Sequence, residues 1–139
     1  MIGRIALTLL LATGVPALAS AQVDSQGIAC NPAGSQIELN ACAAQALAAA
    51  DAELNASWRQ VLQRLGDNTV AADRLKAAQR LWIQLRDADL AAQFPLAEGQ
   101  DPRVEYGSMF PMSRDHAKAE LTRQRTAYLR AHFLADVPY

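Results

Sequence analysis

The stretch SQIELNACAAQALAAADAELNASWRQVLQRLG, residues 35–66, decides the fold. Its opening, Ser35-Gln36-Ile37-Glu38, is a capping box: the serine hydroxyl accepts from an early amide, and the glutamate reaches back to the cap. Apolar side chains then recur three and four apart, at Ile37, Cys42, Ala46, Leu47, Ala50, Leu54, Trp58, Val61 and Leu65. That spacing is one buried face of a helix. Gly66 stands where glycine is favoured after a helix end.

Downstream, Asp67-Asn68-Thr69 reads as a turn and a cap for a second helix over about 70–93. Its inward line is read as Leu75, Ala78, Trp82, Leu85 and Asp89, with Leu81 beside it. Phe94-Pro95 stops it. Residues 95–111 carry further breakers at Gly99, Pro102 and Gly107-Ser108 and read as a long exposed loop. A loop of that length is either functional or mobile. A third helix begins between 108 and 113 and runs to about 133, with Ala117, Leu121, Tyr128 and Leu129 near one face. Residues 135–139 should fray. The expected fold is all-α: three main helices, neighbours antiparallel, with the long loop between helices two and three. Trp58 and Trp82, at matched depths, are expected to pack on each other. No β-alternation and no repeat of 30–50 residues competes with this reading.

Upstream, residues 1–21 read as a secretory signal: a basic start at Arg4, an apolar run from Ile5 to Val15, Pro16, then small residues at Ala19 and Ala21. The run is too short for a membrane span. Cleavage after Ala21 would leave 118 residues and move the net charge from −1 to −2, because Arg4 is the one charged residue removed. Gly27-Ile28-Ala29-Cys30 faintly resembles a lipidation box. It lacks a leucine at its head and is separated from the apolar run by residues 22–26, so the reading is a cleaved periplasmic or secreted chain without lipid. Residues 22–34 are a polar, extended lead-in, and 35–134 form the domain.

The composition, rich in Ala, Leu, Gln and Arg, is that of a helix former. Mild acidity and the lack of a basic stripe argue against a nucleic-acid partner. No later segment has the apolar length of a membrane span. No oligomeric state is legible in the pattern. The chain has two cysteines, Cys30 and Cys42. In an exported chain an even count points to a disulfide. It would tie the lead-in to the second turn of helix one and contribute about 3 kcal/mol through loop closure.

Taken in order, Cys30, SQIELNACA (35–43), DAELNASW (51–58), LKAAQRLWIQLRD (75–87), Gly107-Ser108 and ELTRQRTAYL (120–129) resemble the LprI-like lysozyme-inhibitor family of small exported helical domains. The resemblance covers most of the mature chain. It implies a non-enzymatic protein that binds and inhibits a muramidase by protein contact. The rival reading is an envelope interaction module with another partner and no effect on lysozyme. Many relatives carry a second cysteine pair; its places here appear as Leu90 and Ala117, so packing would stand in for that bridge.

Two groups of residues are candidates for function. Asp51, Asn55, Arg86, Asp87 and Arg125 belong to the family motifs. They read either as a polar patch gripping a partner or, the blander reading, as hydrogen bonds locking helix to helix. In the loop, Arg103, Tyr106, Ser108 and Phe110 are the candidate partner-binding residues, since aromatic and Arg side chains commonly anchor interfaces. A muramidase cleft works with two carboxylates, which a protruding Arg, Ser or Tyr could occupy. The alternative is a solvated linker. No catalytic site is expected. His116 and His132 are too far apart in the helix to share a metal. Asp51/Glu53 and Asp87/Asp89, two apart on a helix, point to different faces. No phosphate loop, nucleophile elbow or cofactor motif occurs.

Overall fold

The computed structural model describes residues 28–135; residues 1–21, read above as a secretory signal with cleavage after Ala21, and residues 136–139 lie outside them. Four helices follow in order: α1 (Gln36–Leu65), α2 (Thr69–Gln93), a single turn α3 (Pro102–Tyr106) and α4 (Phe110–Leu129). A 3-10 turn, Gly107–Met109, leads into α4, and a π turn, Arg130–Leu134, ends it. The three long helices are those expected from the pattern, and no strand occurs among the described residues.

The start of α1 follows the capping reading. The Glu38 carboxylate accepts from the Ser35 amide at 2.7 Å, the Ser35 hydroxyl at 2.8 Å and the Asn31 side chain at 3.3 Å. Beside it, Cys30 and Cys42 form the expected disulfide, with their Cα atoms 4.5 Å apart. Gly66 ends the helix at φ 52°, a conformation other residues resist. Asn68 then caps α2 by accepting from the Ala71 amide at 3.1 Å.

Side-chain contacts fix the topology. At one end Asn40 meets Ser108 and Gln36 meets Met112. At the other, Arg64 donates to the Leu134 carbonyl at 2.6 Å. Hence α1 and α4 run parallel. Gln79 meets Arg125, and Phe94 meets Phe110, so α2 runs antiparallel to α4. The facing surfaces of α1 and α4 hold small buried residues, Ala43, Ala50 and Ser57 on one and Ala119, Thr122 and Thr126 on the other. Small side chains let two helix backbones approach closely. The main apolar cluster is Leu54, Val61, Leu75 and Leu129, with Trp58, Leu65, Trp82, Phe133 and Leu134 packed around it. Burying each such aliphatic side chain is worth about 1.5–3 kcal/mol.

The inward faces differ from the pattern in places. On α1, Ile37 is exposed: it lies about 100° around the helix from Gln36, and Gln36 is the residue that meets α4. On α2 the inward line is Leu75, Gln79, Trp82, Arg86 and Leu90, at spacings of four, three, four and four. Ala78, Leu81 and Leu85 are turned outward. Gln79 and Arg86 face inward because each has a partner there, Arg125 for the first and the Trp82 ring for the second. On α4 the buried face is Ala119, Thr122, Thr126 and Leu129; Tyr128 is largely exposed, and Leu121 and Ala117 are half-buried. Trp58 and Trp82 both pack on the common cluster. The ring contacts among the described residues do not join them, because the Trp82 ring is covered by guanidinium groups instead.

Candidate functional site

The connection between α2 and α4 is an ordered element rather than an open loop. Phe94 closes α2 through its amide to the Leu90 carbonyl at 3.0 Å. A tight turn follows, in which the Gln100 side chain accepts from the Ala97 amide at 2.6 Å. Asp101 then caps α3, accepting from the Arg103 amide at 2.8 Å, with Pro102 in the first turn, where a missing N–H costs nothing. Gly107, at φ 71°, permits the sharp exit into the 3-10 turn.

Three rings anchor this element from beneath. Tyr106 stacks on Phe110 with centroids 5.5 Å apart, and Phe94 sets its ring at right angles to both, at 5.9 and 5.7 Å. The Tyr106 hydroxyl donates to the Pro95 carbonyl at 2.7 Å. On the far side the Asn40 side chain donates to the Ser108 carbonyl at 3.1 Å, tying the turn to α1. Tyr106 and Phe110, read from sequence as partner anchors, therefore serve first as internal anchors. What remains outward is Arg103, Val104, Glu105, Ser108 and Met109, with Val104 83% exposed, and Glu98 and Asp101 are exposed just before them. An open groove of about 650 Å³ runs between the 99–103 segment and the start of α4, where Arg114 and Asp115 form an ion pair at 3.9 Å. Chemically this edge offers one exposed cation among three exposed carboxylates, Glu98, Asp101 and Glu105, with two apolar contacts and a hydroxyl on a braced backbone.

The motif residues are only partly brought together. Arg125 projects from α4 toward α2, where its Nε donates to the Gln79 side chain at 2.9 Å. Its guanidinium lies 5.7 Å from the Trp82 ring centre and 5.2 Å from that of Tyr128. Arg86 covers the same tryptophan at 5.2 Å and pairs with Asp87 at 2.8 Å. Cations over aromatic faces are attracted by the ring quadrupole. Burial pushes the Arg125 guanidinium below the ordinary arginine value, with Tyr128 opposing. Arg86, Asp87 and Arg125 thus gather around Trp82. Asp51, half-buried, and Asn55, exposed, lie apart from that group and make no hydrogen bond to it.

Several polar ties between helices were not legible in the spacing. Arg130 donates to the Ser57 hydroxyl at 2.9 Å and pairs with Glu53 at 3.5 Å. Gln36 and Asn40, joined at 2.9 Å, carry α1 to the turn before α4. Their signal in the sequence is slight: two amides four apart on one helix face. His132 packs on Tyr128 at 4.4 Å, and His116 is exposed. Among the described residues no group of three or more His, Cys, Asp or Glu is placed to hold a metal ion, and no helix is long and apolar enough to cross a membrane.

Comparison with known proteins bears on this arrangement. A family profile described as "Lysozyme inhibitor LprI" matches residues 29–129, which spans α1, α2, the braced connection and α4. An uncharacterized protein of Rhizobium meliloti (strain 1021) is 40% identical over 136 residues, covering 90% of each chain. No solved structure matches. With the disulfide, the three long helices and a profile match over most of its length, this chain belongs to the LprI family.

Proposed function

We propose that the protein is an exported, non-enzymatic binding protein that inhibits a muramidase by docking the braced 95–111 edge into or across the enzyme's cleft. Family membership is the observation that carries this reading. The edge supports it in physical terms. A segment already held by a ring stack and two hydrogen bonds loses little conformational freedom on binding, and such preorganisation favours affinity. Arg103 is the one cation in 95–111, set among the exposed carboxylates Glu98, Asp101 and Glu105, and a muramidase cleft holds a pair of carboxylates, so the Arg103 side chain itself would have to reach that pair. The signal-like residues 1–21, removed after Ala21, would deliver the chain to the periplasm or outside the cell, where such enzymes act.

The test is lysis of peptidoglycan-bearing cells by c-, g- and i-type lysozymes, with and without the purified, oxidised 22–139 chain. Dose-dependent protection against at least one type, lost when the domain is unfolded, is the expected result. A folded sample that protects against none overturns the inhibitor reading and leaves the rival, a module for another envelope partner, to be sought by pull-down.

A further inference from the structure

The lysozyme reading leaves the motif residues Arg86, Asp87 and Arg125 unused, and their charges do not balance. Two guanidinium groups meet at the Trp82 ring, Arg86 at 5.2 Å and Arg125 at 5.7 Å from its centre. One carboxylate answers them. It is Asp87, and Arg86 bonds it through Nε at 2.9 Å and an Nη at 2.8 Å. Arg125 has no ion pair among the described residues. Its Nε–H donates to the neutral side chain of Gln79, and its Nη2 is buried with no hydrogen-bond partner. A buried arginine is ordinarily paired with a carboxylate. This one has the rings of Trp82 and Tyr128 instead, and burial disfavours its charge.

Neighbouring charges do not make up the deficit. The register of α2 against α4, set by Gln79 with Arg125 and Phe94 with Phe110, brings Arg86 level with Lys118 and Asp89 level with Asp115. Asp115 pairs with Arg114. Lys118 and Asp89 add one charge of each sign. Glu120 is held by Arg123 and Gln124. The seam around Trp82 therefore keeps an excess of positive charge.

An oxyanion has the chemistry to compensate it. A guanidinium fork takes phosphate or carboxylate through paired N–H bonds. The two guanidinium centres are no further apart than their two distances from the ring combined, so flexible side chains can share one anion. Arg125 is half-buried rather than enclosed, which leaves the seam open to a ligand from solvent.

We propose that Arg125 and Arg86, on the α2–α4 seam beside Trp82, form a binding site for an oxyanion, the phosphate or carboxylate group of a ligand. The site lies about 22 Å along α2 from the braced edge, counted from Gln79 to Phe94, and is independent of the lysozyme reading.

Two-dimensional NMR of the oxidised protein tests it, with titration by sodium phosphate, sodium acetate and, as reference, sodium chloride at equal ionic strength. The expected result is a saturable shift of the Arg86 and Arg125 Nε–H signals and the Trp82 indole N–H in phosphate, acetate or both, and none in chloride. Saturation in phosphate alone identifies a phosphate-bearing ligand; saturation in both identifies a site for either oxyanion. Saturation in neither overturns the proposal. Arg125→Met keeps an apolar stem beside Trp82 and deletes the charge. It should weaken binding about tenfold or more, the loss of one charge-assisted contact, with helical circular dichroism unchanged. If Arg125→Met does not fold, Arg125→Lys keeps the charge without the fork and should weaken binding likewise. A folded variant that binds as tightly as wild type overturns the proposal.

Discussion

The Tyr106 hydroxyl donates to the Pro95 carbonyl at 2.7 Å, across eleven residues, and so closes the connection between α2 and α4 into a fixed edge. The ring below it, stacked on Phe110, holds the same edge from the other side. This separates two roles that sequence reading merged. Tyr106 shapes the edge, and Arg103 is free to meet a partner.

Tyr106→Phe and Arg103→Ala should therefore fail differently. The first removes one hydrogen bond and keeps the stack, a loss of about 0.5–1.5 kcal/mol. It should lower the melting temperature slightly and speed proteolysis within 95–106. The second removes a side chain that makes no hydrogen bond or ion pair among the described residues, so stability should stay unchanged. If the edge grips lysozyme, Arg103→Ala should weaken inhibition about tenfold or more, as anchor residues do. Inhibition unchanged in both Arg103→Ala and Tyr106→Ala would remove the edge from the interface.

A second prediction concerns the face between α1 and α4. Thr122 is fully buried and its hydroxyl oxygen has no hydrogen-bond partner among the described residues, while its carbonyl accepts from Thr126 at 3.0 Å. An unpaired buried hydroxyl carries a desolvation penalty of about 1–3 kcal/mol. Valine has nearly the same shape without that group. Thr122→Val should raise the melting temperature by a few degrees in thermal unfolding. Thr126→Val, which deletes a made bond, should not. A drop for Thr122→Val would mean that the hydroxyl is satisfied in solution.

How far the sequence revealed all this depends on the kind of signal. Helix α1 was legible from end to end because local chemistry marks both ends, Ser35 with Glu38 at one and Gly66 at the other. The inward face of α2 was not, because hydropathy places Gln79 and Arg86 outside and Leu81 and Leu85 inside. Their true positions depend on partners in other helices, Arg125 and the Trp82 ring, that no local pattern encodes. The short α3 did leave a mark, Asp101-Pro102, a cap followed by a first-turn proline, hidden by its setting among breakers. The aromatic residues were found, but their contacts with one another were not, since Phe94 and Phe110 meet Tyr106 only once α2 and α4 lie side by side.

The cap of α1 should be sensitive to acid. Hydrogen bonds from the Ser35 amide, the Ser35 hydroxyl and Asn31 hold the Glu38 carboxyl below its ordinary value of 4.5. A depressed carboxyl contributes stability above its unfolded-state value and loses it as pH falls through the folded-state value. The melting temperature of wild type minus that of Glu38→Gln should thus be constant near neutrality and shrink below about pH 4.5. Glu120, lowered by Gln124 and Arg123, is common to both proteins and cancels in the difference. A difference that persists to low pH would show that the charge plays no part. Gly34→Ala should mimic the loss at neutral pH, because an added Cβ would collide with the Glu38 carboxylate and the Asn31 amide.

The last prediction uses the positions where relatives are expected to carry a second cysteine pair. Leu90 is buried on α2, beside Phe94 and Phe110, and Ala117 is half-buried on α4. With Gln79 against Arg125 and Phe94 against Phe110, Leu90 lies opposite the first turns of α4. Leu90→Cys/Ala117→Cys should crosslink on oxidation, seen as loss of both titratable thiols while Cys30 and Cys42 remain paired. The closed loop should add up to about 3.5 kcal/mol, offset in part by the packing that Leu90 loses. The melting temperature of the oxidised form should therefore exceed that of its own reduced form. The register also offers a control one turn earlier, Leu90→Cys with Arg114→Cys. If the control crosslinks and the Ala117 pair does not, the packing around Leu90 is native but the equivalence with the relatives' bridge is wrong.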